Sequence, residues 1–228
     1  MKLNVQIGDF NALIEPYTTF VEKDILLRAS HGNYTSDEIL DILGISDCSK
    51  LTEDAKKYLL YRFREISIGS EINIKFKCTE CGMGNDSSLD TDGIMKPGKR
   101  NDPDILKRDD IVTDDNLHLF LKEKIDIDDL DIDEFDELKQ RIQDNQIYFD
   151  FKRKCRCLKC QSVNTIDISD LEYIVDSLSE DTLMTLYKTY NFLNYFGKYT
   201  KADVDGMYPF ERSIFLGLLT KIKEDLAK

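Results

Sequence analysis

Two cysteine motifs with the same spacing are the residues of this sequence that point most directly to chemistry. Cys78 and Cys81 form one C-x-x-C motif, and Cys157 and Cys160 form the other. Two intervening residues allow a tight turn that directs both sulfurs toward one point, and two such turns supply the four thiolates that structural zinc prefers in a tetrahedron. We therefore predict one structural zinc site with these four cysteines as its ligands.

Each motif follows a stretch with the alternating apolar and polar side chains of a β-strand, residues 72–76 before the first and 147–151 before the second. A strand–turn–strand unit of this size cannot bury a core of its own. Bound zinc offsets that weakness, since it contributes roughly 10–16 kcal/mol of apparent free energy in small zinc-binding peptides. The sequence thus predicts a zinc-ribbon-like pair of β-hairpins.

Other roles for the cysteines stay open at the level of sequence. Buried reduced thiols or disulfides are the alternative, although two C-x-x-C motifs that each follow a strand favour metal. Cys155 offers a third thiol beside the second motif, and Cys157 and Cys160 are preferred because they repeat the spacing of the first. Cys48 has no partner at ligand spacing, so a small buried side chain is its expected role.

A catalytic zinc ion is disfavoured by the residues available. Catalytic sites keep an open coordination position and often include histidine. The chain has only two histidines, His31 and His118, and neither lies near a cysteine motif in the sequence. No Ser/His/Asp set and no phosphate-binding glycine loop is recognisable. We expect a protein without enzymatic activity.

The charge and hydropathy of the 228 residues restrict the partners and the compartment. A net charge of −13 makes nucleic acid an unfavourable general partner, because the field of the whole molecule repels phosphate. No apolar run approaches the ~20 residues that span a bilayer, and no secretory signal is recognisable. The expected location is the cytoplasm, where thiols stay reduced and free to bind metal.

The order of sequence signals predicts an α+β fold, with helical N- and C-terminal parts around the zinc-ribbon-like hairpin pair. Three regions make up one composite domain: an N-terminal helical region (1–70), a β region (71–168) with an acidic helical insert (83–145), and a C-terminal helical region (169–228). The insert is expected to begin with a long loop over residues 85–104, followed by helices around 115–124 and 131–144.

Capping residues mark the predicted N-terminal helices. After an alternating, strand-like run at residues 3–7, Thr35 and Glu38 have the spacing of a capping box at the start of a short helix. Thr52 is the predicted N-cap of a longer amphipathic helix that ends before Gly69.

Similar signals predict the C-terminal helices. Ser179 is the expected N-cap of a helix that ends at Gly197, and Pro209 suits the first turn of the last helix. That helix carries an i, i+4 apolar stripe made of Phe210, Ile214, Leu218, Ile222 and Leu226, which Phe215 and Leu219 widen. We expect the stripe to pack against the rest of the chain, with a partner subunit as the alternative.

Charged residues cluster in two places. Eight of the twelve residues 126–137 are acidic, which indicates a solvated surface or a docking site for a basic partner. A calcium loop is disfavoured because Asp131 stands where the sharp turn needs glycine. Five basic residues lie within positions 152–159, where they either stabilise the thiolates or bind a partner.

The order of these elements resembles a known family. Tyr58–Arg64 leading to Ser67–Gly69, the first knuckle Cys78–Gly82, a second cysteine knuckle and the tail segment Pro209–Arg212 are similar to the small baseplate hub proteins of T-even-type contractile phages. The resemblance extends from about residue 25 to the end of the chain.

The resemblance implies a non-enzymatic protein that is made late in infection and helps to build the hub of the tail baseplate. Its expected partners are other phage baseplate and tail proteins, and its expected location is the host cytoplasm during assembly. The alternative function is a zinc-ribbon module associated with nucleic acid, such as a transcription accessory factor that uses residues 152–159.

Overall fold

The computed structural model describes residues 2–7, 10–32, 34–49, 51–96 and 148–226, together with the single position 134. Apart from that position, the helices predicted around 115–124 and 131–144 and the acidic stretch 126–137 lie outside the described residues. Among the described residues, no helix has both the length and the apolar character needed to cross a membrane.

The N-terminal part begins with a β-hairpin and continues with three helices. These elements are β1 (Leu3–Ile7), β2 (Phe10–Ile14), α1 (Thr19–His31), α2 (Ser36–Ile42) and α3 (Glu53–Ser67). The predicted capping box is confirmed at the start of α2, where the side chains of Thr35 and Glu38 each bond the other residue's backbone amide. The predicted cap of α3 is also confirmed, since the Thr52 hydroxyl accepts a hydrogen bond from the amide of Ala55.

Three further two-stranded antiparallel sheets follow in the part of the chain that the structure describes. In these, β3 (Glu71–Lys77) pairs with β4 (Gly84–Asp90), β5 (Met95–Lys96) with β6 (Tyr148–Phe149), and β7 (Lys152–Arg156) with β8 (Val163–Asp167). The predicted loop from residue 85 is therefore wrong for residues 85–90, which form most of β4. The sequence hides this strand because one of its two buried positions is the polar Asn85, and only Leu89 is apolar.

Helix α3 lies at the centre of the main hydrophobic core. Three consecutive residues, Leu59, Leu60 and Tyr61, are each at most 1% exposed, because α2, β1, β6 and the helix that follows β8 cover different faces of α3. The Tyr61 hydroxyl donates a hydrogen bond to the carbonyl oxygen of Ile168, 2.7 Å away. The core thereby joins the N-terminal elements to both long hairpins.

A buried arginine fixes the first long hairpin to the helices around it. Arg64, near the end of α3, donates hydrogen bonds to the carbonyl oxygens of Ser177 at 2.9 Å and Glu71 at 2.6 Å, and also to that of Gly69. Because Glu71 is the first residue of β3, one side chain sets the position of this strand relative to α3.

The C-terminal part consists of four helices: α4 (Leu171–Ser177), α5 (Leu183–Gly197), α6 (Lys201–Gly206) and α7 (Pro209–Leu226). The predicted role of Ser179 as the N-cap of α5 is wrong. Thr182 caps α5 by accepting a hydrogen bond from the amide of Thr185, and the Ser179 hydroxyl instead donates to Glu22 of α1. Helix α5 begins only at Leu183, and the Ser179 hydroxyl also accepts a hydrogen bond from the amide of Asp181 in the connection before it.

A buried ion pair holds α7 against α1. Arg212 and Glu22 are 3% and 1% exposed, and the guanidinium contacts both carboxylate oxygens of Glu22. The same guanidinium contacts Asp181 at 3.0 Å and the Thr19 hydroxyl at 3.0 Å. The paired charges satisfy each other's hydrogen-bonding groups, which makes their burial tolerable.

The apolar stripe of α7 does not pack against the chain. Helix α5 ends at Gly197 and α7 begins at Pro209, as predicted, but α7 turns Arg212, Phe215 and Leu219 toward its neighbours. The stripe residues are between 43% and 83% exposed: Phe210, Ile214, Leu218, Ile222 and Leu226. The expected intramolecular packing is therefore correct for Phe215 and Leu219 but wrong for these five residues, because the ion pair of Arg212 orients the helix by a different face.

Candidate metal centre

The two long hairpins have turns with the same backbone geometry. In the first, the amide of Gly82 donates to the carbonyl of Cys78 at 3.0 Å, and the amide of Cys78 donates to the carbonyl of Met83 at 2.8 Å. The residue after the second cysteine, Gly82, has a φ of 70°, where glycine lacks the steric cost of a side chain.

The second hairpin repeats this arrangement. The amide of Gln161 donates to the carbonyl of Cys157 at 3.0 Å, and the amide of Cys157 donates to the carbonyl of Ser162 at 2.9 Å. Gln161 has a φ of 62°, although it carries a side chain. Each C-x-x-C motif is thus a tight turn between paired strands, as the spacing predicts.

The structure brings the four predicted ligands together. The sulfurs of Cys78 and Cys160 are 3.6 Å apart, and so are those of Cys81 and Cys157. All four sulfurs lie within 4.8 Å of one another. Zinc–sulfur bonds of about 2.3 Å in a tetrahedron put sulfurs about 3.8 Å apart, so this donor set fits a metal ion of that kind. The four cysteines could hold a metal ion.

Two buried asparagines connect the hairpins in a crossed arrangement. The side-chain oxygen of Asn164, on β8, accepts a hydrogen bond from the amide of Thr79 in the first turn, at 2.9 Å. The side-chain oxygen of Asn85, on β4, accepts one from the amide of Leu158 in the second turn, also at 2.9 Å. Asn85 is 5% exposed and Asn164 is 2% exposed. Each hairpin thus completes the hydrogen bonding of the other hairpin's turn.

Sequence reasoning missed these asparagines, although the sequence contains a signal. Asn85 follows Cys78 by the same number of residues as Asn164 follows Cys157. A polar residue repeated at one offset from two metal-binding motifs is the pattern expected of groups that orient the ligands.

Ser162 breaks the symmetry of the two hairpins. It occupies the position that Met83 holds in the first hairpin, and its hydroxyl oxygen lies 3.1 Å from the sulfur of Cys78 and 3.0 Å from that of Cys160. A hydroxyl has one proton to donate, so Ser162 can stabilise one thiolate at a time. This hydroxyl is a further group of the site that the spacing of the cysteines did not reveal.

The surroundings of the thiols shift their pKa values in opposite directions. The Ser162 hydroxyl, followed by the amide of Cys81, lowers the pKa of the Cys78 thiol to about 5. For Cys81, the amide of Met83 lowers the pKa, but desolvation and the neighbouring thiols outweigh it and raise the pKa to about 11. The cluster therefore favours a thiolate at Cys78 and a thiol at Cys81, whereas a bound cation would favour thiolates at both positions.

Residues 2–126 match the family described as T4 bacteriophage base plate protein, and this range is more than half of the chain. The chain belongs to this family. No curated protein and no solved structure matches the baseplate protein. The family match begins before residue 25, where the resemblance was expected to start, and it ends before the second cysteine motif. Membership indicates a component of the phage tail baseplate that contacts other baseplate proteins.

The remaining cysteines of the baseplate protein lie apart from the cluster. Cys155 is buried in the main core with its side chain among apolar residues, and Cys48 is buried between α2 and α3. The Cys48 location matches its expected role. His31 ends α1 and contacts the carbonyl of Leu27, while His118 lies outside the described residues.

The basic residues near the second turn of the baseplate protein have different roles. Arg153 donates hydrogen bonds to the carbonyl oxygens of Asp90 at 3.1 Å, Asp150 at 2.7 Å and Asp92 at 3.2 Å, so it connects β7 to the segment after β4. Other basic residues of the two hairpins are exposed, and no ion pair within the described residues engages them: Lys75, Lys77, Lys154, Arg156 and Lys159.

Proposed function

We propose that this baseplate protein is a structural or assembly subunit of the hub at the centre of the tail baseplate. Zinc bound by Cys78, Cys81, Cys157 and Cys160 stabilises it, and it acts through contacts with other baseplate proteins. The convergence of four sulfurs from two distant hairpins carries this proposal, together with membership of the baseplate family. The protein is made late in infection and is present in the host cytoplasm during assembly.

Zinc is the metal that this donor set suits best. Four thiolates form a soft, negatively charged site, and zinc accepts such a site in a tetrahedron without changing its oxidation state. The sulfur pairs at 3.6 Å support that geometry. Four thiolates around a dication leave a net charge of about −2, and the exposed lysines and arginines of both hairpins offset it.

A structural role follows from the closed ligand set. A catalytic zinc ion needs an open position for water or substrate, whereas four cysteines occupy every position of a tetrahedron. We therefore assign no enzymatic activity to this site. The zinc-ribbon-like region 71–168 and the helical regions 1–70 and 169–228 act as one composite domain, supported by the core that α3 shares with both hairpins.

Metal analysis of the purified full-length protein, combined with fractionation of infected cells, tests the proposal. We expect a single zinc ion per chain, lost in the Cys78→Ser variant but kept in the Cys155→Ser variant. We also expect the protein to cofractionate with baseplates or with hub intermediates. Zinc-free protein that is fully folded contradicts the role of the metal, and absence from virions and from every assembly intermediate contradicts the role in the hub.

Association with nucleic acid is the second candidate function. The exposed basic side chains that lack ion pairs among the described residues favour it, and the net charge of −13 opposes it. Charge reversal at Arg156 tests it, because this side chain is exposed on β7. Arg153 is unsuitable for that test, since its guanidinium bonds backbone carbonyls and its loss disturbs the hairpin itself. Salt-dependent DNA or RNA binding that Arg156→Glu weakens would support this candidate.

A further inference from the structure

The two sides of the cysteine cluster differ in chemistry although the hairpins share one backbone geometry. On one side, the side chain of Asn164 accepts a hydrogen bond from the backbone amide of Thr79 at 2.9 Å and donates one to the carbonyl of Ser162 at 3.2 Å. The two residues that it contacts, Thr79 and Ser162, are polar. On the other side, the equivalent asparagine is Asn85, and the two residues that it contacts are apolar.

On that apolar side, the Asn85 side chain accepts from the amide of Leu158 at 2.9 Å and donates to the carbonyl of Met83 at 2.8 Å. One amide group thus holds Leu158 and Met83 next to each other. We call Met83 and Leu158 the apolar flank.

The apolar flank is open to solvent. Leu158 is 70% exposed and Met83 43%. Elsewhere on β3 and β7 the outward positions near the turns are basic: Lys75 and Lys77 on β3, and Lys152, Lys154 and Arg156 on β7. Exposed aliphatic side chains on two adjacent turns, bordered by charge, are typical of an interaction site.

The border of the apolar flank is positively charged, and its cations lack counter-ions among the described residues. Lys159 follows Leu158 in the turn, Arg156 ends β7 directly before that turn, and Lys77 precedes the first cysteine turn. Within the described ranges, no carboxylate forms an ion pair with any of these three residues. A partner that covers the flank binds most favourably if it supplies carboxylates around an aliphatic side chain.

We propose that the apolar flank and its basic border are the docking surface for an acidic, leucine-like segment of another baseplate protein. This inference rests on the proposed function and names the chemistry of the partner. Nucleic acid fits less well, because the exposed side chains are aliphatic and cannot stack on bases as aromatic side chains do. A protein segment uses both features of the surface, the aliphatic contact and the charge.

The test uses the zinc-loaded full-length protein with labelled Leu, Val and Met methyl groups, observed by NMR. The probe is a short synthetic peptide in which Glu alternates with Leu, and its matched counterpart has Ser in place of each Leu. We expect the first peptide to shift the methyl signals of Leu158 and Met83, and the second to bind about tenfold or more weakly. Oligothymidylate serves as the nucleic-acid probe, and sedimentation of the protein alone reports self-association.

Variants locate the binding and keep it apart from metal loading. Leu158→Ser and the Arg156→Glu, Lys159→Glu pair should each weaken peptide binding about tenfold. Leu226→Ser and Lys221→Glu, on the exposed surface of α7, are matched controls that should leave it unchanged. Zinc content is measured in every variant, so failure of the proposed zinc site is distinguishable from failure of docking.

The same variants are then placed in the phage, where zinc-loaded Leu158→Ser protein should be incorporated into baseplates less than the Leu226→Ser control. The proposal is overturned if the Glu-Leu peptide does not bind, if the α7 controls weaken it equally, or if incorporation is unchanged. It is also overturned if oligothymidylate shifts the same methyl signals more strongly, or if self-association through Leu158 covers the flank.

Discussion

The side chain of Asn164 bonds the backbone amide of Thr79, a residue 85 positions earlier in the chain. This contact joins β8 to the turn between β3 and β4, and Asn85 makes the reciprocal contact with Leu158. The hairpins are thus connected by protein groups as well as by any metal that the four sulfurs bind. The asparagines hold the turns in the orientation that makes the sulfurs converge.

Replacement of Asn164 by alanine tests this orientation. The change leaves the amide of Thr79 without its buried acceptor, and we expect a loss of about 1–3 kcal/mol in the free energy of unfolding. Because groups that orient ligands also tune metal affinity, zinc affinity should fall about 10–100-fold. Asn85→Ala should behave similarly, and denaturant unfolding with a competing chelator measures both quantities. Asn73→Ala, an exposed position on β3, is the control, and equal losses in the control would contradict the orienting role.

Removal of metal should affect the hairpins more than the helices. Treatment with a strong chelator, or Cys160→Ser, would take away the proposed zinc ion, which offsets the small core of the hairpins. We expect amide hydrogen exchange to increase in β3, β4, β7 and β8 while α3 keeps its protection. Cys48→Ser, which changes a thiol away from the cluster, is the matched control. Exchange that rises equally in α3 and in the hairpins would show that the cluster has no local role.

Loss of the buried ion pair should destabilise the C-terminal part strongly. Arg212→Ala leaves Glu22 as an uncompensated charge that is 1% exposed, and removal of one partner of such a pair costs about 3–5 kcal/mol. Arg28→Ala breaks an exposed pair with Glu38, which is worth about 0–1 kcal/mol. Denaturant unfolding compares the two variants. If their free energies of unfolding are similar, the Arg212 pair does not hold α7 against α1.

Two glycines near the C-terminus should respond oppositely to alanine. A Cβ at Gly197 would lie 2.6 Å from the Tyr199 ring and 2.8 Å from the Leu219 side chain, so Gly197→Ala must shift the contact between α5 and α7. We expect this variant to lose about 1–3 kcal/mol of stability. Gly217 lies in α7 with open space around it, so Gly217→Ala should gain about 0.5–1 kcal/mol of helix stability. Thermal unfolding of both variants checks the difference in sign.

The sequence predicted those features that depend on local chemistry. The capping box of Thr35 and Glu38 is confirmed because both partners lie within one helical turn. The two cysteine turns also depend on a few adjacent residues. Their convergence was predictable because four thiolates at this spacing share one good solution, a common metal ion.

The features that sequence reasoning missed depend on contacts between distant residues. The polar residues of β4 form a strand because β3 is beside them, and their composition alone indicates a loop. The ion pair of Arg212 with Glu22, 190 positions away, selects the buried face of α7, so Phe215 and Leu219 pack inward and the five-residue stripe stays exposed. Ser179 has the residue type of a helix cap, but its hydroxyl donates to Glu22, 157 positions away.

The sequence separation of the paired sulfurs has a consequence for synthesis. Cys78 and Cys160 are 82 residues apart, so a ribosome adding roughly 5–20 residues per second delivers the second about 4–16 s after the first. During that interval the nascent chain carries only half of the donor set. The four-cysteine cluster forms only once the later hairpin has left the exit tunnel. A truncated chain without that hairpin lacks the contacts that would keep its first hairpin folded.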